Sequence, residues 1–390
     1  MYKKSYPSGF VFFGLYMMMT TSCTTTIKKE PVLTNWRVAG TIPAVQGQTT
    51  ALGLAGPVAG ISNDRLLVAG GANFPDSMPW LGGKKKYYSE GFVFRKDKND
   101  SLLHCGSFTL PFPLAYAACC SAPEGVVVAG GENSSGLSNK AFLLQWDGAK
   151  ETVSTVTLPD LPFALTNAAA AVYKQKIYLA GGEKKSEVSD SFFVLDLSNK
   201  QKAWQALAPL PKPLSHAVMA VQDNGKTSCV YVLGGRKKNT GSTSDLSTSA
   251  FQFDLSGNQW HETASLPYAL SAGTGVSLGS HCIVLIGGDR GETFHKTERL
   301  IAAMSKETDE EKRKALNEEK IRVQAGHPGF SKEVLLYDTK NDLWKVNRIM
   351  PLFDVPVTTT AIAWADKIFI PGGEVKAGVR TPGILTAKIR

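Results

Sequence analysis

The chain has 390 residues, 43% of them hydrophobic and 20% charged, which excludes a disordered or collagen-like protein and allows one large domain or two to three ordinary ones. Lys and Arg exceed Asp and Glu by 43 to 34, a formal charge of +9, yet no Arg-rich run or interleaving of aromatic and basic residues accompanies it. No nucleic-acid partner is therefore expected.

Residues 9–21 form an apolar segment too short for a transmembrane helix of ~20 residues. Preceded by Lys3 and Lys4, the run GFVFFGLYMMMTTSC reads as a secretory signal over residues 1–22. Its end resembles a loose bacterial lipobox, in which Cys23 would be lipidated and become the mature N-terminus. An ordinary signal peptide cut nearby fits the same residues. Either outcome exports the protein, as a periplasmic or membrane-anchored protein of a bacterium that meets a membrane only through a lipid at Cys23. Loss of residues 1–22 removes two Lys and no acid, taking +9 to +7. Of the other cysteines, Cys119, Cys120, Cys229 and Cys282 lie in apolar runs, and with Cys105 they form no CxxC pair. They read as buried thiols in strands, and no spacing suits a metal.

From residue 66 onward the chain repeats itself. Six β-rich runs end in Gly-Gly and a turn: LLVAGGAN, VVVAGGEN, IYLAGGEK, VYVLGGRK, IVLIGGDR and IFIPGGEV. The first glycines are Gly70, Gly130, Gly181, Gly234, Gly287 and Gly372, at intervals of 60, 51, 53, 53 and 85 residues. The middle intervals fit the kelch period of ~50. Ahead of each pair lies a small-residue run (GPVAG, AYAAC, TNAAA, SHAVM, AGTGV, TTTAI), suited to an innermost strand crowded around an axis. A third run follows, as in AFLLQWD or EVLLYD, and a fourth often opens on Trp, at Trp36, Trp204, Trp260 and Trp344. Four strands per repeat predict an all-β, six-bladed propeller over residues 34–390. The sixth unit ends at its third strand, GILTAKIR, so the strand around residues 36–41 is expected to complete it and close the ring.

The long fifth interval holds an insertion over residues 290–331, in which TDEEKRKALNEEKIRV is strongly helical. Thr308 and Glu311 read as a capping box, and Glu310 and Lys314 as an i,i+4 pair. Because strands alternate in direction, the loops after Gly-Gly and the entries to the innermost strands share one mouth of the channel. The loops bring Asn73, Lys84, Lys85, Lys86, Glu132, Glu183, Lys184, Lys185, Arg236, Lys237, Lys238, Asp289, Arg290, Glu374 and Arg380 there, and the entries Tyr116, Asn167, His216, Thr274 and Thr358. Carboxylates and guanidiniums together suit acid–base work on an anion, although each charge alone also reads as a solvated loop residue.

Two stretches go beyond the generic repeat, GPVAGISNDRLLVAGGANFPDSMPWLGGKKKYY and PGGEVKAGVRTPGI. Both resemble the bacterial N-acetylneuraminate epimerases, the sialic acid mutarotases. The second resembles a family segment whose glutamate and arginine, six residues apart, form the reaction centre, here Glu374 and Arg380. The first resembles a stretch near the family's C-terminal end, so the order resembles that of a circularly permuted member. The resemblance implies a sugar isomerase acting on N-acetylneuraminate or a related acidic sugar by assisted ring opening. Glu374 would be the acid/base and Arg380 the carboxylate clamp. Asn73, Tyr116, Glu132, His216 and Arg236 would bind substrate, with no metal or other cofactor required.

Rival readings are a structural Glu374–Arg380 ion pair in a non-catalytic kelch lipoprotein that binds glycans or a protein, and two other propeller enzymes. A sialidase would need S-x-D-x-G-x-T-W boxes, and the sequence has none. A copper radical oxidase would need clustered His and Tyr ligands. His104, His216, His261, His281, His295 and His327 show no such spacing.

Overall fold

Short continuous apolar runs suit strands buried on both faces, and the six runs before the glycine pairs are such strands. They are Arg65–Ala69, Gly125–Ala129, Lys176–Ala180, Ser228–Leu233, Cys282–Ile286 and Lys367–Pro371. The computed structural model describes residues 1–5, 31–200, 202–351 and 354–390. The chain divides into Met1–Glu30 and Pro31–Arg390, and residues 6–22 of the expected leader, with Cys23, lie outside the described residues.

Each of these strands is the second in a four-stranded antiparallel sheet, and there are six such sheets among the described residues. The innermost strands are Val58–Ser62, Ala118–Ala122, Ala169–Tyr173, Val218–Asp223, Thr274–Leu278 and Ile362–Trp364. Each lies against the next, and the last lies against the first. The protein is a six-bladed β-propeller. Its sixth blade is completed by Leu33–Thr41, which pairs antiparallel with Gly383–Ile389 from Leu33 opposite Ile389 to Thr41 opposite Gly383. This pairing covers the outer edge of Gly383–Ile389 and closes the ring, as the truncated sixth repeat implied.

Six buried apolar clusters fill the spaces between neighbouring blades. Cys119, Cys120, Cys229 and Cys282 are buried within them, whereas Cys105 is exposed. Three of the predicted tryptophans also tie blade to blade. Trp204, Trp260 and Trp344 donate their indole N–H to the carbonyls of Pro159, Ala208 and Ala264, at 2.9, 2.8 and 2.7 Å.

The insertion is a pair of helices, α1 (Glu292–Lys306) and α2 (Glu310–Ala325). Only α2 was anticipated from the sequence, and its start differs from expectation. Asp309, not Thr308, is the N-cap, accepting a hydrogen bond from the Lys312 N–H at 3.0 Å. This moves the helix start one residue on and leaves no place for the Thr308–Glu311 box. Among the described residues the ion pairs of α2 centre on Glu319, with Lys296 at 2.8 Å and Arg322 at 2.8 Å, and Glu310 does not pair with Lys314. Ser244 in the blade-four loop donates N–H and hydroxyl bonds to Glu298 of α1, at 2.8 and 2.7 Å. On the other side α2 lies against the short helix Pro79–Leu81 of blade one. The insertion therefore spans the propeller mouth.

Every glycine pair has positive φ, from 63° to 71° at the first residue and 90° to 104° at the second. At Gly181 a Cβ would come within 2.0 Å of the Leu214 carbonyl oxygen, while the Gly182 N–H bonds to that same carbonyl at 2.8 Å. The pair therefore lets one blade reach the backbone of the next. Gly181→Ala is expected to lower the unfolding free energy by at least ~1–3 kcal/mol, read from the shift of the urea midpoint.

Candidate active site

Two sets of six equivalent positions build the mouth. At the entry to the inner strands, Gly56, Tyr116, Asn167, His216, Ala272 and Thr358 all have left-handed φ between 50° and 61°. The N–H of each donates to the carbonyl of its counterpart one blade earlier, at 2.7–3.0 Å, and Gly56 closes the circle by bonding to Thr358. The residue before each ring member forms an antiparallel bridge to the residue just after a glycine pair. Those partners are Ala72, Glu132, Glu183, Arg236, Asp289 and Glu374. The backbone thereby stacks a crown of mostly charged side chains on a ring in which four of the six residues are polar.

Both layers line a cavity of about 440 Å³ under the helical insertion, with Thr293, Phe294 and Thr297 of α1 and Gln324 of α2 in its wall. Glu374, Arg380, Tyr116, Glu132, His216 and Arg236 all reach this wall. Asn73 does not. It is buried nearby, its amide donating to the Gly53 carbonyl at 2.9 Å and its oxygen accepting from the Tyr88 hydroxyl at 2.8 Å. Phe74, the next residue, lines the cavity instead.

Glu374 and Arg380 meet through hairpin register. Strand Glu374–Lys376 pairs with Val379–Arg380 so that the two residues stand directly opposite each other. The turn uses Gly378 at φ 72°, whose N–H donates to Glu374 Oε1 at 2.8 Å. Arg380 Nη1 lies 3.5 Å from that same oxygen, and the guanidinium sits 4.8 Å from the centre of the Phe74 ring. The Arg380 side chain is only 5% exposed, yet its Nε and Nη1 have no hydrogen-bond partner. A buried charge with open donors is costly until an acceptor arrives, and a planar carboxylate matches two guanidinium N–H groups. Glu374 Oε2 likewise has no protein partner among the described residues.

The remaining cations are already engaged. Lys85 binds Glu132 at 3.2 Å, and Tyr87 donates to the same oxygen at 2.7 Å. Burial opposes the Lys85 charge, but Tyr116 and Glu132 hold its pKa above the ordinary lysine value. Burial and the bond to Glu132 push the Tyr87 hydroxyl up to about 12. Arg236 Nη2 lies 3.2 Å from His216 Nε2 and 3.6 Å from Glu183 Oε1, leaving its Nε open. A guanidinium can only donate, so Nε2 of His216 accepts and Nδ1 carries the proton. Nδ1 lies 3.3 Å from Glu183 Oε1 and 3.1 Å from Ser215 Oγ. Burial, with the Arg236 charge, lowers the His216 pKa to about 4. Burial raises that of Glu183, but the His216 hydrogen bond and the charges beside it prevail and hold it at about 2. At neutral pH the group is a carboxylate, a neutral imidazole and a guanidinium.

His327 was not singled out as a site residue, and neither were Phe74, Phe294 or Phe330, all four of which line the cavity. Among the described residues no group of three potential ligands could hold a metal ion.

The N-acetylneuraminate epimerase family model matches residues 14–153 and 158–390. The chain belongs to this family. Three curated relatives, all named N-acetylneuraminate epimerase, give a measure of distance. The protein of Pasteurella multocida is 26% identical over 226 residues, which is 58% of this chain and 57% of that one. The Brucella melitensis and Salmonella typhi proteins are each 26% identical, over 60% and 59% of this chain and 59% and 58% of theirs. The chain thus spans somewhat more than half the length of the epimerases it matches.

The His216 cluster gives the epimerase fold a pH signature. A base with a lowered folded pKa binds fewer protons folded than unfolded, so its stabilising effect is complete above pH ~6.5 and falls toward pH ~4. For Glu183 the corresponding loss runs from about 4.5 down through 2. Urea titrations should show wild type losing on the order of 3 kcal/mol more than His216→Gln between pH 6.5 and 4.

Proposed function

We propose that the protein is a mutarotase, interconverting the α- and β-anomers of N-acetylneuraminate or a related sialic acid. The observation that carries this reading is the Glu374–Arg380 hairpin, with a free carboxylate oxygen beside a buried guanidinium whose donors are open. Family membership supports the reaction class.

Ring opening takes a proton from the anomeric hydroxyl and gives one to the ring oxygen as the bond between the anomeric carbon and that oxygen breaks. Closure on the other face reverses both transfers. Arg380 holds the substrate carboxylate through its open N–H groups, which places the anomeric centre, one bond away, beside Glu374. Glu374 then exchanges protons through Oε2. Mutarotation already proceeds in water, so a general acid/base gain of roughly 10²–10⁴ is sufficient. Tyr116, Asn167 and Thr358 offer hydrogen bonds to the sugar hydroxyls.

Proton NMR exchange spectroscopy on N-acetylneuraminate, with and without protein, tests this reading. Glu374→Gln is expected to retain binding and lose ~10²-fold or more of the rate enhancement. Arg380→Lys should mainly weaken binding, since an ammonium lacks the planar fork. If the pair only braced the hairpin, both variants would melt lower and keep their exchange rate.

The exported location is also proposed, on the Lys3-Lys4, apolar, TTSC sequence ending at Cys23. Cys23→Ala is expected to move the protein from membrane to soluble fractions. Unchanged fractionation would count against lipidation.

A further inference from the structure

We propose that His327 is the second proton-transfer group of this site, the one serving the ring oxygen; the proposal rests on the mutarotase reading. Ring opening needs a group that takes a proton and one that gives a proton. Glu374 can take one, whereas Arg380, always charged, can exchange none. The other carboxylates of the cavity are acceptors as well: Glu132 engages Lys85 and Tyr87, Glu183 engages Ser215 and His216, and Asp289 accepts from the Gly291 N–H at 2.7 Å. What the charged crown itself lacks is a proton donor with no other commitment.

The two histidines of the cavity differ in this respect. His216 has both nitrogens engaged, by Arg236 on one side and by Ser215 and Glu183 on the other. His327 Nδ1 accepts the Gly329 N–H at 3.0 Å, which makes Nε2 the protonated nitrogen. Nε2 has no protein partner among the described residues, and the residue lines the cavity that holds Glu374.

Its position relative to Glu374 is set by packing. Gly329 has φ 97°, and a Cβ there would lie 3.6 Å from the carbonyl oxygen of Val375. The turn carrying His327 therefore rests on the hairpin strand that begins with Glu374. The Phe330 ring fixes the imidazole from one side, at 4.8 Å between centres. Burial lowers the His327 pKa and Lys376 adds to this, against the opposing pull of Asp289 and Glu374, so the ring is a neutral N–H donor at neutral pH.

In the opening direction Glu374 Oε2 takes the anomeric hydroxyl proton, and the O–H electron pair becomes the carbonyl bond. The ring C–O bond breaks with its pair going to the ring oxygen, which takes the proton of His327 Nε2–H. This leaves a protonated Glu374 and an imidazolate, and closure returns both protons. Neutral imidazoles act on developing oxygen charge in this way.

The test compares wild type, Glu374→Gln, His327→Leu and His327→Gln for anomer exchange by NMR, N-acetylneuraminate affinity by calorimetry, and melting temperature. His327→Leu is expected to lose ~10²-fold or more in exchange rate, with affinity within about threefold of wild type and unchanged melting. His327→Gln keeps an N–H donor and should recover about tenfold of that loss. Should the Leu variant melt lower, the Gln variant decides: restored melting without wild-type rate supports the role, and full rate overturns it. A folded His327→Leu protein that exchanges at the wild-type rate, alongside an inactive Glu374→Gln, removes His327 alone. Absence of exchange by wild type overturns the mutarotase reading and the proposal together.

Discussion

A left-handed residue at the entry of each inner strand donates its N–H to the carbonyl of its counterpart one blade earlier, and the six bonds close on themselves. Five of the six are not glycine, and residues in that region cost of order 1–3 kcal/mol each unless the surroundings over-determine them. Here they are over-determined, since each also stands beside a bridge to the next layer and between two packed blades. The strained positions bear Tyr116, Asn167, His216 and Thr358, all in the cavity wall. The contacts that hold the mouth of the ring together thus also present these side chains to the cavity.

Above that ring the charges sort by what they already touch. Lys85 and Arg236 are held by carboxylates of the same cavity, so a ligand meets them as partly neutralised pairs. Arg380 differs in degree, because its contact with Glu374, at 3.5 Å, leaves both Nε and Nη1 buried without hydrogen-bond acceptors, whereas Arg236 leaves only Nε so. Among the described residues of the cavity the largest unmet demand for an acceptor therefore lies at Arg380. Glu374 beside it keeps one oxygen anchored by the Gly378 N–H and the other open. An acidic sugar would bring the missing acceptor and the exchangeable proton in adjacent groups.

The architecture was legible because the same physical demands recur six times: small residues near the axis, glycines where one blade approaches the next, and a last repeat lacking a strand. Glu374 and Arg380 were found through a motif, and the hairpin register explains its spacing, since a six-residue separation places the two opposite each other. Asn73 shows the limit of reading by repeat. The residue aligned with Glu132 and Glu374 in blade one is Ala72, and one step along a strand turns a side chain to the other face. Asn73 therefore braces Gly53 and Tyr88 outside the cavity. Helix α1 lacked a side-chain cap to announce it, as its N-cap is Gly291. His327 sits in the insertion and has no counterpart in other blades, so no repeat could point to it.

The position of that insertion follows from the geometry of a closed ring. In a propeller each blade touches two neighbours, and a group brought over the mouth from blade five must lie between blades four and six. Blade four supplies Arg236 and His216, and blade six supplies Glu374 and Arg380. Helix α1 is fastened to the blade-four side through Ser244 and Glu298 and lays Phe294 under the Arg236 guanidinium, 4.7 Å from the ring centre. The chain leaving α2 returns past the blade-six hairpin, where the His327 turn rests against Val375. The roof is therefore tied to both sides of the charged crown, and through His327 it supplies the cavity with an N–H donor that the carboxylates and committed side chains of the crown do not provide. Because the first and last strands pair within one blade, these neighbour relations depend on the cyclic order of the blades and not on where the chain begins, so a permuted order leaves the assembly of the site intact.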